Sequence, residues 1–281
     1  MLCRGRRGLS AARVSAKVGP SKKPTTLRGE PAVSEPTTII GAPVSPYVRK
    51  VMAVCDVKGV AYRIDPIIPF QGNDEFSRLS PLRRIPVLID DEVTLADSTV
   101  IAEYLDERHG TPELFPKTPA VRARARWIEE FADTRIGDVF IWRLFNAAVI
   151  VPSVWKLARD DDAIARVVRE ELPAVMDYLE TIAPPDGFVF GALAVADVAV
   201  AVHFANLRWA STGADLAAWP KTCAWVARTE AVPVLARLNQ LAERSLTTRR
   251  TERPALYAEF GIPLAETSLA GKEFRKGPLS V

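Results

Sequence analysis

The stretch TTIIGAPVSPYVRKVMAVCDVKG, residues 37–59, decides the fold because it reads as a strand, a turn and a helix in immediate succession. A short β-branched run ends at Ile40. Apolar residues then recur three and four positions apart from Val48 to Cys55, which is the spacing of one helix face. The pattern predicts a strand followed by a helix that begins near Pro46.

Ser45 and Pro46 stand at the junction between this strand and this helix. Serine is a preferred N-cap, and proline suits the first helical position. On local sequence alone, Ser-Pro is therefore an ordinary helix start. The alternative is that the serine hydroxyl and the helix N-terminus together bind an anionic ligand. The local sequence leaves both interpretations open.

Outward from this stretch, the chain alternates between strand and helix patterns as far as Gly110. The order is β-α-β-α-β-β-α, which predicts a compact α/β unit over residues 37–112. Proline-punctuated residues 113–119 form a linker, and residues 120–245 contain only helical patterns. Residues 246–281 are polar, and we expect them to form a surface tail.

Charge separates the beginning of the chain from the rest. The whole chain has a net charge of +3. Residues 1–29 contain eight basic and no acidic residues, and without them the net charge is −5. We therefore expect residues 1–36 to be a disordered basic leader, and we expect no nucleic-acid partner for the mildly acidic remainder.

The cysteines and the most apolar segment bound the possible environments. Cys3, Cys55 and Cys223 lie far apart, so they indicate neither a disulfide framework nor a metal site and are typical of a reducing cytoplasm. Residues 188–207 are nearly long enough to span a bilayer, but they include Asp197 and His203. This segment predicts the central helix of a helical domain, and we expect no membrane partner.

Four motifs in order resemble the cytosolic-type glutathione S-transferase family. SPYV stands where thioredoxin-like folds begin their first helix, and SPLRRIPVLID resembles the segment around the family's cis-proline. LADSTVIAEYL and GALAVADV resemble two later helix-opening segments. The resemblance covers about residues 37–246. It implies a thioredoxin-like α/β N-terminal domain that binds glutathione and an all-α C-terminal domain that binds an electrophile.

The resemblance implies that Ser45 is the catalytic residue and that glutathione is the co-substrate. The serine would donate a hydrogen bond to the glutathione thiolate, which is the reactive form of the thiol. Tyr47 is the alternate candidate, because it lies two residues into the same helix. Serine in place of cysteine at position 45 argues against mixed-disulfide chemistry. The S-S-C-x-x-R-type segment of the family's isomerases is also missing from VSPYVRK.

The resemblance also implies the residues that bind glutathione. Ile85 and Pro86 would form a cis peptide that holds the cysteinyl part, and Asp97 and Ser98 would bind the γ-glutamyl end. Gln71 and Arg84 fall at positions that contact the glycine end. The six expected glutathione contacts are Gln71, Arg84, Ile85, Pro86, Asp97 and Ser98.

The segment VFIWRLFNAAVIVPSVW is the expected wall of the electrophile pocket, with Trp142, Phe145 and Asn146 projecting towards the site. The expected reaction is conjugation, reductive cleavage or peroxide reduction of a hydrophobic electrophile. The alternative is a non-catalytic glutathione- or ligand-binding interaction protein of the same fold. The family implies a homodimer. Two departures from the family pattern are Arg83 in place of a glycine and Ala194 in place of a helix-capping serine or threonine.

Overall fold

The computed structural model describes residues 37–275, and the expected leader, residues 1–36, lies outside the described part of the chain. A four-stranded sheet begins it, in the order β2-β1-β3-β4. The pair β1 and β2 is parallel, whereas β3 is antiparallel to both β1 and β4. This topology is compatible with the predicted β-α-β-α-β-β order. The strands are β1 (Thr37–Ile40), β2 (Tyr62–Asp65), β3 (Val87–Ile89) and β4 (Thr94–Ala96).

Helices make up most of the remaining described chain, as expected for a thioredoxin-like unit followed by an all-helical unit. The α-helices are α1 (Pro46–Lys58), α2 (Asp74–Leu79), α3 (Ser98–His109), α4 (Pro119–Phe131), α5 (Asp161–Glu170), α6 (Leu172–Ile182), α7 (Val195–Trp209), α8 (Pro220–Glu230), α9 (Pro233–Thr247) and α10 (Arg253–Glu259). Helix α4 continues directly into a π-helical segment, Ala132–Trp155.

The α/β unit and the helical unit share a hydrophobic core. The cluster around the sheet includes Val198 and Val202 of α7 and Leu238 of α9. A second cluster, centred on Phe140 and Trp225, lies within the helical part. The linker therefore separates two patterns of secondary structure, while the described residues form one compact unit.

The helix Pro119–Trp155 is, among the described residues, long and apolar enough by composition to cross a membrane. The central helix of a soluble domain passes the same test. Here Ile136, Val139 and Phe140 are completely buried in the helical core. The segment predicted as the central helix is α7, and its residues from 195 to 207 are buried on all sides.

Asp197 organises the start of α7, and this structural role is the one expected from the sequence. Its Oδ2 accepts the Ala194 N–H at 2.9 Å, and its Oδ1 accepts the Val189 N–H at 3.0 Å and the Trp225 Nε1–H at 2.7 Å. Ala194 has the extended backbone of an N-cap residue but no side-chain oxygen to complete the reciprocal bond.

The chain from residue 246 onward differs from the expected surface tail. Helix α10 lies here, and Leu256, Tyr257 and Ile262 are buried in the core of the α/β unit. Tyrosine and leucine at adjacent positions of a short helix supply this apolar face, which the surrounding polar residues concealed in the sequence. The prediction of a purely surface segment was wrong for this part.

Residues 262–275, which we call the C-terminal strap, then run along the edge of the sheet. Ile64 of β2 donates its N–H to Pro263 O at 2.9 Å, and Ala265 returns an N–H to Ile64 O at 2.9 Å. The strap thus covers backbone groups that an edge strand otherwise leaves unpaired.

Replacing Ala194 by serine should stabilise the protein. The serine hydroxyl would accept a free N–H in the first turn of α7, which is worth about 1 kcal/mol and raises the melting temperature by roughly 2–4 °C in a domain of this size. Thermal unfolding measures the change. Ala194→Val is the control, because it adds volume without an oxygen. Equal melting temperatures for the Ser and Val variants would contradict this account of the helix start.

His203 should make the folded state sensitive to acid. It is completely buried, its Nδ1 lies 2.7 Å from Ala199 O, and burial lowers its pKa from 6.5 to about 4. The unfolded chain therefore binds this proton at a higher pH than the folded chain does. Consequently the contribution of His203 is present above pH 6.5 and is lost as the pH falls towards 4.

The measurement is the free energy of unfolding by denaturant at pH 7 and pH 5 for the wild type and for His203→Phe. The wild type should lose about 2 kcal/mol more than the variant over this interval. Equal losses in the two proteins would show that His203 does not titrate in this way.

Candidate functional site

A cavity of about 490 Å³ lies where the start of α1, the cis-proline loop, the start of α3 and the π-helical segment meet. Two predicted site residues, Gln71 and Pro86, do not line it. The predicted residues that do line it are Ser45, Tyr47, Arg84, Ile85, Asp97, Ser98, Trp142, Phe145 and Asn146.

Ser45 is the N-cap of α1, with extended backbone angles of φ −70° and ψ 127°. Its Oγ accepts the Val48 N–H at 3.5 Å, which is at the outer limit of a hydrogen bond, and Pro46 occupies the first helical position. The hydroxyl is half-buried and lines the cavity. Its proton is therefore available to a ligand at the positive end of the α1 dipole.

Tyr47 is engaged elsewhere. Its hydroxyl donates to Asp133 O at 3.1 Å, and burial together with the Asp133 charge raises the pKa of the phenol above its ordinary value. Gly137 makes room for this contact, since a Cβ there would lie 2.3 Å from the Tyr47 hydroxyl. The neutral tyrosine thus joins α1 to the π-helical segment, and its hydroxyl proton is already donated to Asp133 O, unlike that of Ser45.

Arg49 holds the loop that precedes Ser45. Its guanidinium is completely buried and donates to Pro43 O at 2.7 Å and to Asn206 Oδ1 at 2.6 Å. Asn206 in turn donates to Val44 O at 3.0 Å. Burial lowers the pKa of Arg49 to about 9, so the side chain remains charged at neutral pH. Arg49 and Asn206 of α7 therefore together fix two consecutive carbonyl groups, those of Pro43 and Val44, in the turn that precedes α1.

Lys50 ties the next turn of α1 to α4 and the π-helical segment. Its Nζ lies 2.8 Å from Glu129 Oε1 and 2.5 Å from Asp133 Oδ2. Although burial opposes the charge, the two carboxylates raise the pKa of Lys50 above its usual value. Thr99 Oγ1 also donates to Asp133 Oδ2, at 3.0 Å. No local pattern in the sequence indicates that these side chains form a cluster.

One carboxylate oxygen of Asp133 makes no hydrogen bond within the described residues. Its Oδ1 is buried without a hydrogen-bond partner among residues 37–275, and the residue lines the cavity. A buried acceptor without a partner is costly, so this oxygen is a candidate for a ligand donor. Only long-range packing brings Asp133 to the start of α3, and no local pattern around it could have indicated this.

Asp97 is the N-cap of α3, and its Oδ1 accepts the Thr99 N–H at 2.9 Å and the Val100 N–H at 3.4 Å. Asp97 has a φ of 85°, which non-glycine residues rarely adopt. Ser98 is the first helical residue, and its Oγ donates to Asp133 Oδ2 at 3.4 Å.

The loop before β3 contains the expected cis peptide between Ile85 and Pro86. Arg83, which stands at the family's glycine position, has a φ of 51° and so keeps the left-handed backbone that glycine favours. Its guanidinium donates to Gly72 O at 2.9 Å and to Pro69 O at 3.2 Å. The neighbouring Arg84 side chain is exposed at the cavity and pairs with no other side chain in residues 37–275.

Gln71 is held away from the cavity by the C-terminal strap. Its backbone oxygen accepts the Gly271 N–H at 2.5 Å, and its Nε2 donates to Gly271 O at 3.5 Å. The sequence could not reveal this, because the two residues lie 200 positions apart. The expected contact with the glycine end of glutathione stays a prediction, and it requires the amide to leave the strap.

The other end of the cavity is apolar. Trp142, Phe145 and Asn146 line it from the π-helical segment, and their contact with an electrophile stays a prediction. Apolar side chains from the same segment and from the loop after β2 complete this end, and they are Ile68, Phe70, Ile141 and Ile150.

Comparison with known proteins shows what this chain is similar to. The family model "Glutathione S-transferase, N-terminal domain" matches residues 39–113. A stringent starvation protein A homolog of Haemophilus ducreyi is 39% identical over 80 residues, which are 28% of this chain and 37% of that protein. A probable glutathione S-transferase of Glycine max is 31% identical over 106 residues, 37% of this chain and 47% of that protein. The matches thus span less than half of either relative.

Solved structures agree over a longer part of the chain. A glutathione S-transferase from Rhodospirillum rubrum F11 superposes with a TM-score of 0.65 at 23% identity, covering 72% of this chain and 91% of that one. At this identity the likeness shows the fold alone. The N-terminal unit therefore matches the glutathione S-transferase N-terminal domain, and the described residues have the fold of the solved glutathione S-transferase.

Proposed function

We propose that this protein is a glutathione transferase in which Ser45 stabilises the glutathione thiolate for attack on a hydrophobic electrophile. The observation that carries the proposal is the weakly bound Ser45 hydroxyl at the N-terminus of α1, facing a cavity that is polar at one end and apolar at the other. The reaction is conjugation, reductive cleavage or peroxide reduction. We further propose that the protein works as a cytoplasmic homodimer.

The energetics of thiolate formation fit a serine hydroxyl. A thiol with a pKa near 8.5 is only a few per cent ionised at pH 7, and lowering its pKa by two units takes about 2.7 kcal/mol. A hydrogen bond to a charged group supplies roughly 1.5–3 kcal/mol, and a helix N-terminus adds about 0.3–1 kcal/mol. Ser45 and the start of α1 together therefore suffice, and no further acid or base is needed.

The polar end of the cavity suits the γ-glutamyl part of glutathione, which carries an ammonium and a carboxylate. In our proposal the carboxylate lies near Ser98 at the start of α3, where the helix dipole favours an anion. Three carboxylates line the cavity, those of Asp97, Glu130 and Asp133, and of these Asp97 and Asp133 lie at the start of α3. Asp97 already accepts two backbone N–H groups, so the free Oδ1 of Asp133 is the better acceptor.

The remaining parts of glutathione follow from this placement. The backbone of Ile85 and Pro86 would bind the cysteinyl part and bring its sulfur towards Ser45. Arg84 would bind the glycine carboxylate, because its guanidinium is exposed at the cavity without a carboxylate partner in the described residues. The electrophile would occupy the apolar end against Trp142 and Phe145.

The alternative is a non-catalytic glutathione- or ligand-binding protein of the same fold. Both proposals predict glutathione binding, so retention on immobilised glutathione does not separate them. Turnover does separate them, as does the ultraviolet absorbance of a bound thiolate. Binding without a thiolate signal, and without conjugation of any electrophile or reduction of any peroxide in a broad panel, would favour the non-catalytic alternative.

Replacing Ser45 by alanine should lower kcat/KM for conjugation by roughly 10- to 100-fold, since one hydrogen bond to the thiolate is lost. Glutathione should still bind, and its thiolate absorbance at neutral pH should disappear. Tyr47→Phe is the control, because it removes the neighbouring hydroxyl and should retain most activity. If Ser45→Ala keeps full activity, Ser45 is only a helix cap and the assignment fails.

Replacing Asp133 by asparagine should weaken recognition of the glutathione ammonium. The wild type should bind glutathione roughly 10-fold tighter than the analogue that lacks the γ-glutamyl amino group, and Asp133→Asn should remove most of this preference. Calorimetry with the two ligands measures both affinities. The matched control is Glu129→Gln, which also removes a Lys50 carboxylate but does not line the cavity.

An Asp133→Asn variant that retained the full preference for the amino group would assign the ammonium to Asp97 instead. A loss of preference in both variants would mean that the Lys50 cluster acts as a structural unit rather than through the Asp133 oxygen.

A further inference from the structure

The C-terminal strap is bound along its length to the loop that forms one wall of the cavity. Asn73 donates its N–H to Leu269 O at 2.9 Å, and the Arg275 N–H donates to Phe70 O at 2.6 Å. Together with the Gly271 contacts to Gln71, these bonds fasten successive backbone groups of residues 70–73. The cavity wall at Phe70 is therefore fixed from outside by residues two hundred positions away in the chain.

The strap is anchored upstream by a buried carboxylate. Asp65, at the end of β2, is 3% exposed, and its Oδ1 and Oδ2 accept the Ser268 Oγ–H at 2.8 Å and the Leu269 N–H at 2.7 Å. Burial raises the pKa of Asp65, so the charged form depends on these two donors for its stabilisation. Fixing the strap at Asp65 restricts the positions that residues 270–275 can occupy.

Three aromatic rings connect the end of the strap to the cavity. Phe274 meets Trp155 edge to face with ring centroids 6.2 Å apart, and Trp155 meets Phe70 in the same way at 5.4 Å. Of the three, only Phe70 lines the cavity. Trp155 ends the π-helical segment that supplies Trp142 and Phe145, so the rings also join the two walls of the apolar end.

Burial does not explain the position of Phe274. Its side chain is 48% exposed, so the ring contributes less to the core than a buried phenylalanine does. The contact that it makes is directed instead at one ring, Trp155. An exposed aromatic placed edge-on against a ring behind the cavity wall holds that ring in place.

We propose that Phe274 is a positioning residue for electrophile selectivity, acting through Trp155 on Phe70. With the strap bound, Phe70 is held from its backbone by Arg275 and from its ring by Trp155, which keeps the apolar end narrow. A narrow slot lined by aromatic rings favours planar aromatic or conjugated electrophiles over small or bulky saturated ones. The selectivity rests on the proposed function, whereas the position of the wall does not.

The test compares Phe274→Ala with Phe274→Tyr, which restores the ring. For the planar electrophile 1-chloro-2,4-dinitrobenzene, Phe274→Ala should raise KM roughly 2- to 10-fold with kcat little changed, and Phe274→Tyr should behave as the wild type. KM for iodomethane and the calorimetric Kd for glutathione should not change. Leu157→Ala is the control, since it removes an exposed apolar side chain near Trp155 that lies outside the strap.

A readout without turnover keeps the two proposals apart. The apolar fluorophore anilinonaphthalene sulfonate should bind the cavity of Phe274→Ala with a shifted affinity, and amide exchange at Asn73 should accelerate in that variant. If the wild type shows no transferase activity, the proposed function fails, while these two measurements still test the strap.

Two results would overturn the inference. One is an unchanged KM for the planar electrophile together with unchanged dye affinity in Phe274→Ala. The other is a parallel loss of melting temperature, glutathione affinity and kcat, which would give Phe274 a structural role only.

Discussion

The structure depends on the hydrogen bonds and ion pairs made by two consecutive cationic side chains of α1. Arg49 and Lys50 are both fully buried, and each has partners in the helical unit as well as in the α/β unit. Arg49 is bound by α7 through Val202 O and Asn206, and Lys50 by Glu129 and Asp133. Removing one partner of a buried ion pair typically costs about 3–5 kcal/mol. The helical unit must therefore sit against α1 in one orientation.

This constraint also builds the site. Ser45 begins the helix that carries the two cations, so the contacts that orient α1 also orient the serine hydroxyl. Asp133 serves Lys50 with one oxygen and leaves the other buried beside the start of α3. A single carboxylate therefore both pairs with the buried Lys50 and leaves one oxygen without a partner at the cavity. Substitutions at Lys50 are consequently expected to change ligand affinity and stability together.

Local features of the chain were predictable because their causes are local. The strand, the serine cap and the apolar stripe from Val48 to Cys55 follow from β-branching, capping preference and helical spacing. The buried polar partners were not predictable in this way. Arg49 and Lys50 lie on a helix where charge normally indicates a solvated face, and their burial depends on residues between 79 and 157 positions away.

The same reasoning separates the predictions for the cis-proline loop and the start of α3 from the prediction for Gln71. The cis peptide at Pro86 and the corner at Asp97 belong to short motifs, so their positions could be recognised in the sequence. Gln71 also belongs to a recognisable motif, but its side chain donates a hydrogen bond to Gly271 of the strap. A motif can place a residue in the fold without determining which neighbour binds its side chain.

The loop of residues 69–73 is held in place by Arg83 on one side and by the strap on the other. Arg83 adopts the left-handed backbone of the glycine that it replaces, which costs about 1–2 kcal/mol for a residue with a Cβ. Its hydrogen bonds to Pro69 O and Gly72 O offset this cost, and those two oxygens flank Phe70 and Gln71. Arg83 therefore holds the loop from the cis-proline side, while the strap holds it from the edge of the sheet. Since both supports act on residues 69–73 rather than on α1, selectivity at this wall should follow Arg83 and the strap rather than Ser45.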